Sequence, residues 1–352
     1  MSRLTPLERL ALALVAALTA LAGAANYGAW AVVPRFALAT LALAGLAWVV
    51  SFATEQLGER FGPGITGMLQ STLGNLPELF VVVFALKQGE LVVAQTAIVG
   101  SILANALLVL GLVIVIGARR SPDGTMRFSK RLPRDTATLL LLTVFIIVLL
   151  GLSLASHDPA SHHVEAISAV GAVCLLVVYL AWVVPYLRSD GPPPEGYRGP
   201  RLKLGFTLVL LALAGGASAF VSDWFVAALA PAISVLHISQ AFAGLVIVAI
   251  AGNAVENAAG LALAHKRRPD LAISVVKNSV AQIAAFLFPL LVLVSFALST
   301  TLTFALAPVY IGALALTALV VWQVTGDGEA VAFEGWALVA LYLILATLTL
   351  YE

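Results

Sequence analysis

The sequence contains few charged side chains and almost no cysteine. Only 11% of its 352 residues are Asp, Glu, Lys or Arg, whereas a soluble domain contains about 25%. Soluble enzymes, nucleic-acid-binding domains and secreted disulfide-rich domains are therefore excluded as classes. Cys174 is the single cysteine, so the chain can form neither an intrachain disulfide nor a cysteine-based metal site. Because Cys174 lies within an apolar run, we interpret it as a small core residue.

Apolar residues are abundant instead, and they occur in long runs. Hydrophobic residues make up 61% of the chain, and the mean hydropathy is +1.03. A helix needs about 20 apolar residues to cross the hydrocarbon core of a bilayer. The predicted fold class is an all-α polytopic membrane protein with about eleven transmembrane helices. The predicted spans lie near residues 8–25, 36–55, 64–87, 91–117, 136–156, 163–187, 203–222, 228–265, 271–297, 302–323 and 333–351.

The first run also has features of a signal peptide. Arg3 precedes it, and Ala24-Ala25-Asn26 offers a loose pattern of small residues for cleavage. Polytopic proteins commonly keep their first span as an anchor, so we expect this helix to remain uncleaved.

The basic residues predict the orientation in the membrane, because cytoplasmic loops are enriched in Lys and Arg. With the N-terminus placed inside, the inside segments hold sixteen of the nineteen basic residues, and the outside segments hold only Arg35 and Lys87. Lys277 falls within a span. We therefore predict a cytoplasmic N-terminus and an external C-terminus. The cluster Lys266-Arg267-Arg268 is interpreted as part of this signal rather than as a lipid site.

A five-residue motif occurs twice. Gly74-Asn75-Leu76-Pro77-Glu78 recurs 178 residues later as Gly252-Asn253-Ala254-Val255-Glu256, and the same offset aligns Ser101 with Ser279. Five predicted spans separate the copies, so they cross the bilayer in opposite directions, as in secondary transporters with inverted repeats. We predict an extra N-terminal helix (1–34), a first five-helix repeat (35–187), a basic Pro/Gly-rich cytoplasmic linker (188–202) and a second five-helix repeat (203–352).

The two motifs contain the only acidic residues deep inside apolar spans, Glu78 and Glu256. A charged side chain at mid-membrane costs at least about 2.5–3.5 kcal/mol, so it indicates a function by default. Helical spacing puts Asn75 with Glu78, and Asn253 with Glu256, on one face. Gly74 and Gly252 weaken the helices and expose carbonyl oxygens. The alternative is that both glutamates only cap or lock helices through hydrogen bonds.

Two carboxylates, two amides and free carbonyls form an all-oxygen site, which suits a hard cation such as Ca²⁺. Both carboxylates can take a proton when the cation leaves a low-dielectric site, so this chemistry allows cation–proton exchange. Further polar residues follow on the next helix of each half, where helical spacing places them near one another as additional ligands or as helix–helix hydrogen-bonding groups. They are Ser101 and Asn105 in the first half and Asn278, Ser279 and Gln282 in the second.

These segments resemble the calcium/cation antiporter superfamily, and most closely its Ca²⁺/H⁺ exchanger branch. The likeness is carried by residues 74–78, by Ile98–Asn105 with Leu107–Gly111, and by residues 252–256 with Gln282-Ile283-Ala284 and Pro289–Val294. It implies eleven helices, alternating access, and a cation bound by the two motif glutamates. It also implies a metal-binding set comprising Glu78, Glu256, Asn75, Asn253, Gly74, Gly252, Ser101, Ser279, Asn105 and Gln282.

The second repeat departs from the family pattern. Asn257 stands where the family usually has His, Asn278-Ser279-Val280 replaces Gly-Ser-Ser, and Lys277 replaces an apolar residue. Lys277 has two interpretations. Its angular position on the helix favours snorkelling to the cytoplasmic interface or helix pairing, and the alternative is a role in the ion path.

The sequence thus predicts a secondary antiporter that exports Ca²⁺ from the cytoplasm in exchange for protons. The alternative is a Na⁺ or K⁺/H⁺ exchanger, or a cation/Ca²⁺ exchanger, of the same fold. The inverted repeat disfavours a passive channel, and the absence of His-Glu-x-x-His and Gly-x-Ser-x-Gly disfavours an intramembrane enzyme. We expect no resident cofactor and no nucleic-acid partner. The expected partners are the transported ions and the bilayer, and the expected location is a prokaryotic inner membrane.

Overall fold

Long apolar runs fold into long helices, because a helix satisfies every backbone hydrogen bond within its own segment. The computed structural model describes residues 4–58, 60, 73–129, 131–188 and 201–352. The helices within these ranges are α1 (Pro6–Tyr27), α2 (Val32–Gly58), α3 (Leu76–Lys87), α4 (Leu91–Arg120), α5 (Arg131–Ser156), α6 (Val164–Arg188), α7 (Leu204–Leu236), α8 (Gln240–Gly252), α9 (Ala254–His265), α10 (Pro269–Ser295), α11 (Pro308–Thr325) and α12 (Ala332–Leu350).

The all-α membrane architecture predicted from the sequence is confirmed, but the number of spans is not. Within the described ranges, nine helices are long and apolar enough to cross a membrane, or ten if the bent pair α8–α9 forms one span. The first part of the predicted third span, residues 64–72, lies outside the described residues, as does most of the predicted linker. The count of eleven and the repeat boundaries therefore stay predictions.

The chain forms two compact units that do not coincide with the halves of the sequence. The first unit comprises Met1–Phe84, Leu180–Ile238 and Ala251–Val255, and the second comprises Ala85–Tyr179, Ser239–Ile250 and Glu256–Glu352. In the first unit α2 packs along α7, and α1 contacts both helices. The rings of Phe36 and Phe225 lie 5.2 Å apart between α2 and α7.

Close backbone contacts hold the second unit together. A Cβ on Gly111 of α4 would meet the Gly335 carbonyl oxygen of α12 at 2.6 Å, and a Cβ on Gly335 would meet the Gly111 carbonyl oxygen at 2.5 Å. Only glycine at both positions allows this approach of α4 to α12. Two short strands, β1 (Thr125–Arg127) and β2 (Glu329–Val331), pair antiparallel in the same unit.

The repeat predicted from the motifs is also visible in the helices that follow them. Helix α4 begins at Leu91, and α10 begins 178 residues later at Pro269. Each helix is interrupted by a π-helical turn, Ala104–Val109 in α4 and Ile283–Leu287 in α10. π-Helical turns are rare and occur frequently at functional sites, so their repetition at matching positions supports a duplicated functional element.

The interpretation of Cys174 as a core residue is wrong. Cys174 is exposed and lines an apolar groove of about 490 Å³ between α5 and α6, together with Phe145 and Val170. In a membrane protein an apolar run also faces lipid hydrocarbon, so apolarity did not distinguish the core from the lipid-facing surface.

Candidate functional site

Both motifs place their asparagine at a break between two helical segments. Asn75 separates a helical segment at residues 73–74 from α3, and Asn253 separates α8 from α9, whose axes differ by 61°. Glu78 and Glu256 are each the third residue of the following twelve-residue helix. The positive end of a helix dipole favours a negatively charged side chain in this first turn. The predicted helix weakening is therefore observed in both copies.

The first unit brings parts of the two motifs together. Glu78 is 1% exposed, Asn75 is 5% exposed and Asn253 is 1% exposed. A Cβ on Gly252 would lie 3.7 Å from Cβ of Glu78, so the second motif contacts the first glutamate in this unit. The Ser222 hydroxyl of α7 donates to the Pro77 carbonyl oxygen at 3.4 Å, which anchors the first turn of α3.

The second unit contains the second glutamate and its hydrogen-bond partner. The Ser279 hydroxyl of α10 donates to Glu256 Oε2 of α9 at 2.5 Å. Because this bond joins two helices, Glu256 does more than cap the start of its own helix. Ser279 was predicted as a site residue from its alignment with Ser101, and the structure places its hydroxyl against Glu256. Its role as a metal ligand stays a prediction.

The remaining predicted residues of this unit lie at or near the π-helical turns of α4 and α10. Asn105 lies in the turn of α4 and donates from its side-chain nitrogen to the Ser101 carbonyl oxygen at 2.9 Å. Gln282 is the last residue before the turn of α10, and its side chain interacts with the Tyr179 hydroxyl. Ser101, Asn105 and Gln282 are all buried.

Two further amides share the features of the predicted residues. Asn257 was not predicted as a ligand, and Asn278 was predicted as either an additional ligand or a helix–helix hydrogen-bonding group. The buried side-chain oxygens of Asn257 and Asn278 have no hydrogen-bond partner among the described residues, and the same is true of Asn105 Oδ1. A buried polar atom without a partner calls for an explanation such as a bound water or ion. The signal in the sequence was available, because both asparagines are polar residues within apolar spans.

Lys277 is buried rather than extended to the membrane surface. It is 1% exposed, and Nζ donates to Thr325 Oγ1 of α11 at 3.1 Å. Thr325 is the last residue of α11, where the helix dipole favours a cation. Of the two options in the favoured interpretation, snorkelling and helix pairing, the structure shows helix pairing. The alternative of a role in the ion path stays a hypothesis.

These atoms form two sets of oxygen-rich positions, one in each unit. Carboxylate, amide and hydroxyl oxygens are the ligands of hard cations such as Ca²⁺. Within the described residues no group of three or more His, Cys, Asp or Glu side chains could hold a metal ion. A site built from these residues would therefore combine few carboxylates with several amides.

Comparison with known proteins assigns the family. The sequence profile of the sodium/calcium exchanger protein family matches residues 32–186 and 206–351, which is most of the chain. The chain belongs to the sodium/calcium exchanger protein family. Its likeness to curated members of this family extends over nearly all of its length.

Two of these relatives are 32% identical to this exchanger-family chain. One is the vacuolar calcium ion transporter of Schizosaccharomyces pombe, over 93% of this chain and 81% of the relative. The other is the Ca²⁺/H⁺ antiporter of Synechocystis sp., over 92% of each chain.

Solved structures share the fold. Native YfkE matches with a TM-score of 0.81 at 26% identity, over 97% of this chain and 100% of that one. The H⁺/Ca²⁺ exchanger CAX matches with a TM-score of 0.78, over 98% of this chain and 93% of that one, and at 16% identity it supports the fold alone.

Proposed function

We propose that this protein is a secondary active antiporter that exchanges Ca²⁺ for protons. The observation that carries the proposal is the repeated helix break at Asn75 and Asn253, each followed by a glutamate in the first turn of the next helix. The relatives named as Ca²⁺/H⁺ antiporters and as a calcium transporter support the same assignment. A transporter of this kind performs no covalent chemistry, so the protein is not proposed to be an enzyme.

Glu78 and Glu256 are the proposed carriers of cation and proton. An ionised carboxylate in a low-dielectric environment requires a counter-charge, which a divalent cation or a proton can provide. Cation binding and protonation therefore compete, and that competition couples the two fluxes. Ser279, which donates to Glu256 Oε2, favours the ionised form that binds the cation.

The proposed ligand set adds the predicted polar residues to the two carboxylates. Amide and hydroxyl oxygens are proposed from Asn75, Asn253, Ser101, Asn105, Ser279 and Gln282, and the helix breaks at Gly74 and Gly252 are proposed to supply carbonyl oxygens. Ca²⁺ takes about 6–8 oxygen ligands, which this set can provide.

The proposed direction is export from the cytoplasm by alternating access. The distribution of Lys and Arg supports a cytoplasmic N-terminus and an external C-terminus. We propose a prokaryotic inner membrane as the location, with protons entering as Ca²⁺ leaves.

A second candidate is a Na⁺/H⁺ or K⁺/H⁺ exchanger of the same fold. The specific observation that favours it is the buried Lys277, which makes no ion pair within the described residues and lies two residues from Ser279. A fixed positive charge near an ion site disfavours a divalent cation more strongly than a monovalent one.

Proton flux in proteoliposomes tests the proposal. An imposed pH gradient is challenged with Ca²⁺, then with Na⁺ and then with K⁺, and the protein is compared with Glu78→Gln and Glu256→Gln. We expect Ca²⁺ to collapse the gradient and each substitution to reduce the rate by about 100-fold or more, since loss of one partner of a buried charge pair costs about 3–5 kcal/mol.

Glu165→Gln provides the matched control, because Glu165 is an exposed glutamate at the start of α6, and it should transport normally. Collapse by Na⁺ or K⁺ alone would favour the second candidate. Absence of collapse by all three ions would reject proton coupling.

A further inference from the structure

A polar cavity lies in the second unit, away from the glutamates. It has a volume of about 270 Å³ and lies between the end of α4, the loop leading to β1 and the turn joining α9 to α10. These segments belong to the face that the distribution of basic residues predicts to be cytoplasmic. The side chains used below, Arg120, Asp123, Arg127 and Arg267, all line this cavity.

The charged residues of this cavity are three arginines and one aspartate. Arg127 is neutralised within the structure, because Nη1 lies 2.5 Å from Asp123 Oδ2 and Nε lies 3.5 Å from Glu329 Oε2. The hydrogen bond from Arg127 lowers the pKa of Asp123, so this carboxylate remains ionised at neutral pH. The Asp123–Arg127 pair therefore adds no net charge to the cavity.

The other two guanidinium groups have no carboxylate partner within the described residues. Arg120 Nη2 lies 2.7 and 3.0 Å from the ring nitrogens of His265, and neither Arg120 nor Arg267 forms an ion pair there. Two uncompensated guanidinium groups thus line one polar cavity. Guanidinium groups bind phosphate through paired charge-assisted hydrogen bonds.

The backbone fixes the position of Arg267 in the turn that follows α9. Arg267 has φ = 58°, in the left-handed region that often ends a helix. The Arg268 N–H donates to the Leu263 carbonyl oxygen at 3.0 Å and closes this turn. Of the cluster Lys266-Arg267-Arg268, only Arg267 lines the cavity.

An exposed tryptophan contacts the last turn of α4, the helix that supplies Arg120. Arg119, the residue before Arg120, lies over the Trp336 ring at 5.7 Å from its centroid, and Trp336 is 46% exposed. Exposed tryptophans concentrate at the membrane–water interface, where anionic lipid headgroups attract basic side chains.

We infer that this cavity is a phosphate-binding site, in which Arg120 and Arg267 hold the phosphate group of an anionic lipid headgroup or of a free phosphate. A bound phosphate would join the end of α4 to the turn before α10, two helices that each contain a π-helical turn. The site is separate from the proposed transport residues, so the inference does not depend on which ion is transported.

Thermal unfolding of the purified full-length protein in detergent tests the inference, since a ligand that binds only the folded state raises its melting temperature. The probes are dihexanoyl phosphatidic acid, dihexanoyl phosphatidylcholine and inorganic phosphate, all at one ionic strength. We expect a saturable rise in melting temperature with phosphatidic acid or phosphate and none with phosphatidylcholine. Saturation by phosphatidic acid at the lower concentration identifies a lipid headgroup, and equal saturation by phosphate identifies the free anion.

The chain offers a closely matched pair of variants. Arg120→Gln with Arg267→Gln removes the two cavity arginines, and Arg119→Gln with Arg268→Gln removes their neighbours, which do not line the cavity. We expect the first pair to weaken binding by about 100-fold, roughly tenfold for each charge-assisted contact, and the second pair to stay within about twofold of the parent.

Melting temperatures measured without ligand show whether each variant folds, and Asp123→Asn should bind the anion more tightly because it removes the carboxylate that lines the cavity. Equal loss in both double variants, or absence of a saturable shift with both phosphate probes, would overturn the inference.

Discussion

At the scale of single residues, three buried amide oxygens share an unusual state. Asn105, Asn257 and Asn278 each have a side-chain oxygen without a hydrogen-bond partner among the described residues. Burying a polar atom without a hydrogen-bond partner lowers the free energy of unfolding by about 1–3 kcal/mol. If the cost is recovered when a cation binds, these residues contribute to affinity and not to the stability of the ion-free protein.

Replacing Asn257 and Asn278 tests whether their amide oxygens bind the cation. We expect Asn257→Ala and Asn278→Ala each to raise the half-saturating Ca²⁺ concentration by about tenfold, the equivalent of roughly 1.4 kcal/mol for one lost ligand. The melting temperature without Ca²⁺ should stay constant or rise. Ser274→Ala is the control, because Ser274 is a polar, half-buried residue on α10, the helix that also carries Asn278. A fall in stability with unchanged Ca²⁺ dependence would indicate a structural role instead.

Lys277 is the second feature at the residue scale, and we expect its positive charge to lower the affinity for Ca²⁺. We expect Lys277→Met to lower the half-saturating Ca²⁺ concentration by about tenfold, because a positive charge near an ion site repels a divalent cation. Na⁺ dependence should change less.

Thr325→Val serves as the control, since it removes the hydrogen-bond partner at 3.1 Å and keeps the charge. Identical effects of the two substitutions would show that helix pairing, and not charge, determines ion affinity.

At the scale of secondary-structure elements, α5 supports the π-helical region of α10 through two threonines. Thr136 and Thr143 are seven residues apart, and their hydroxyls donate to the carbonyl oxygens of Lys277 at 3.3 Å and Ala284 at 3.1 Å, which are also seven residues apart. Ala284 lies within the π-helical turn. Thr143 therefore binds a carbonyl group in the irregular segment next to Gln282.

Thr143→Val should destabilise the protein. The substitution preserves side-chain shape but removes the hydroxyl that the carbonyl oxygens of Leu139 and Ala284 share at 3.1 Å each. One lost hydrogen bond to a buried group costs about 1–3 kcal/mol. We expect a lower melting temperature and faster amide hydrogen exchange in residues 283–287. Thr347→Val is the matched control, because Thr347 is exposed and bonds the Leu343 carbonyl within its own helix. An equal decrease in both variants would contradict a specific role for Thr143.

At the scale of the whole molecule, the pairing of β1 with β2 connects the α4–α5 loop to the α11–α12 loop. Thr125 pairs with Val331, Met126 with Ala330 and Arg127 with Glu329. Both strands belong to the second compact unit, so we expect them to remain paired during transport.

A disulfide between the strands tests this expectation. Paired antiparallel residues have Cα atoms about 4.5–5.5 Å apart, within the range of a disulfide. Thr125→Cys with Val331→Cys, in a Cys174→Ala background, should therefore crosslink on oxidation and keep its Ca²⁺/H⁺ exchange rate within about twofold. The Cys174→Ala parent under the same oxidation is the control. Loss of transport that returns on reduction would show that the strands separate during the cycle.

Much of the fold could be predicted because the bilayer imposes strong rules on a sequence. Runs of about 20 apolar residues indicated the helices, and the two rare intramembrane glutamates indicated the repeated motif. The same rules could not separate buried from lipid-facing positions, which is why Cys174 was assigned to the core. They also could not locate the π-helical turns, since these depend on contacts between distant helices.

The composition and motifs of the chain by themselves determined that it is a polytopic membrane protein, that it contains a duplicated Gly-Asn-x-x-Glu element and that it resembles cation exchangers. These properties follow from local hydropathy and from residue identities at fixed spacing. The tertiary structure decided that Lys277 bonds Thr325, that Ser279 bonds Glu256, and that Arg120 and Arg267 line one cavity. Each of these contacts joins residues on different helices, and the packing of one helix against another sets their distance.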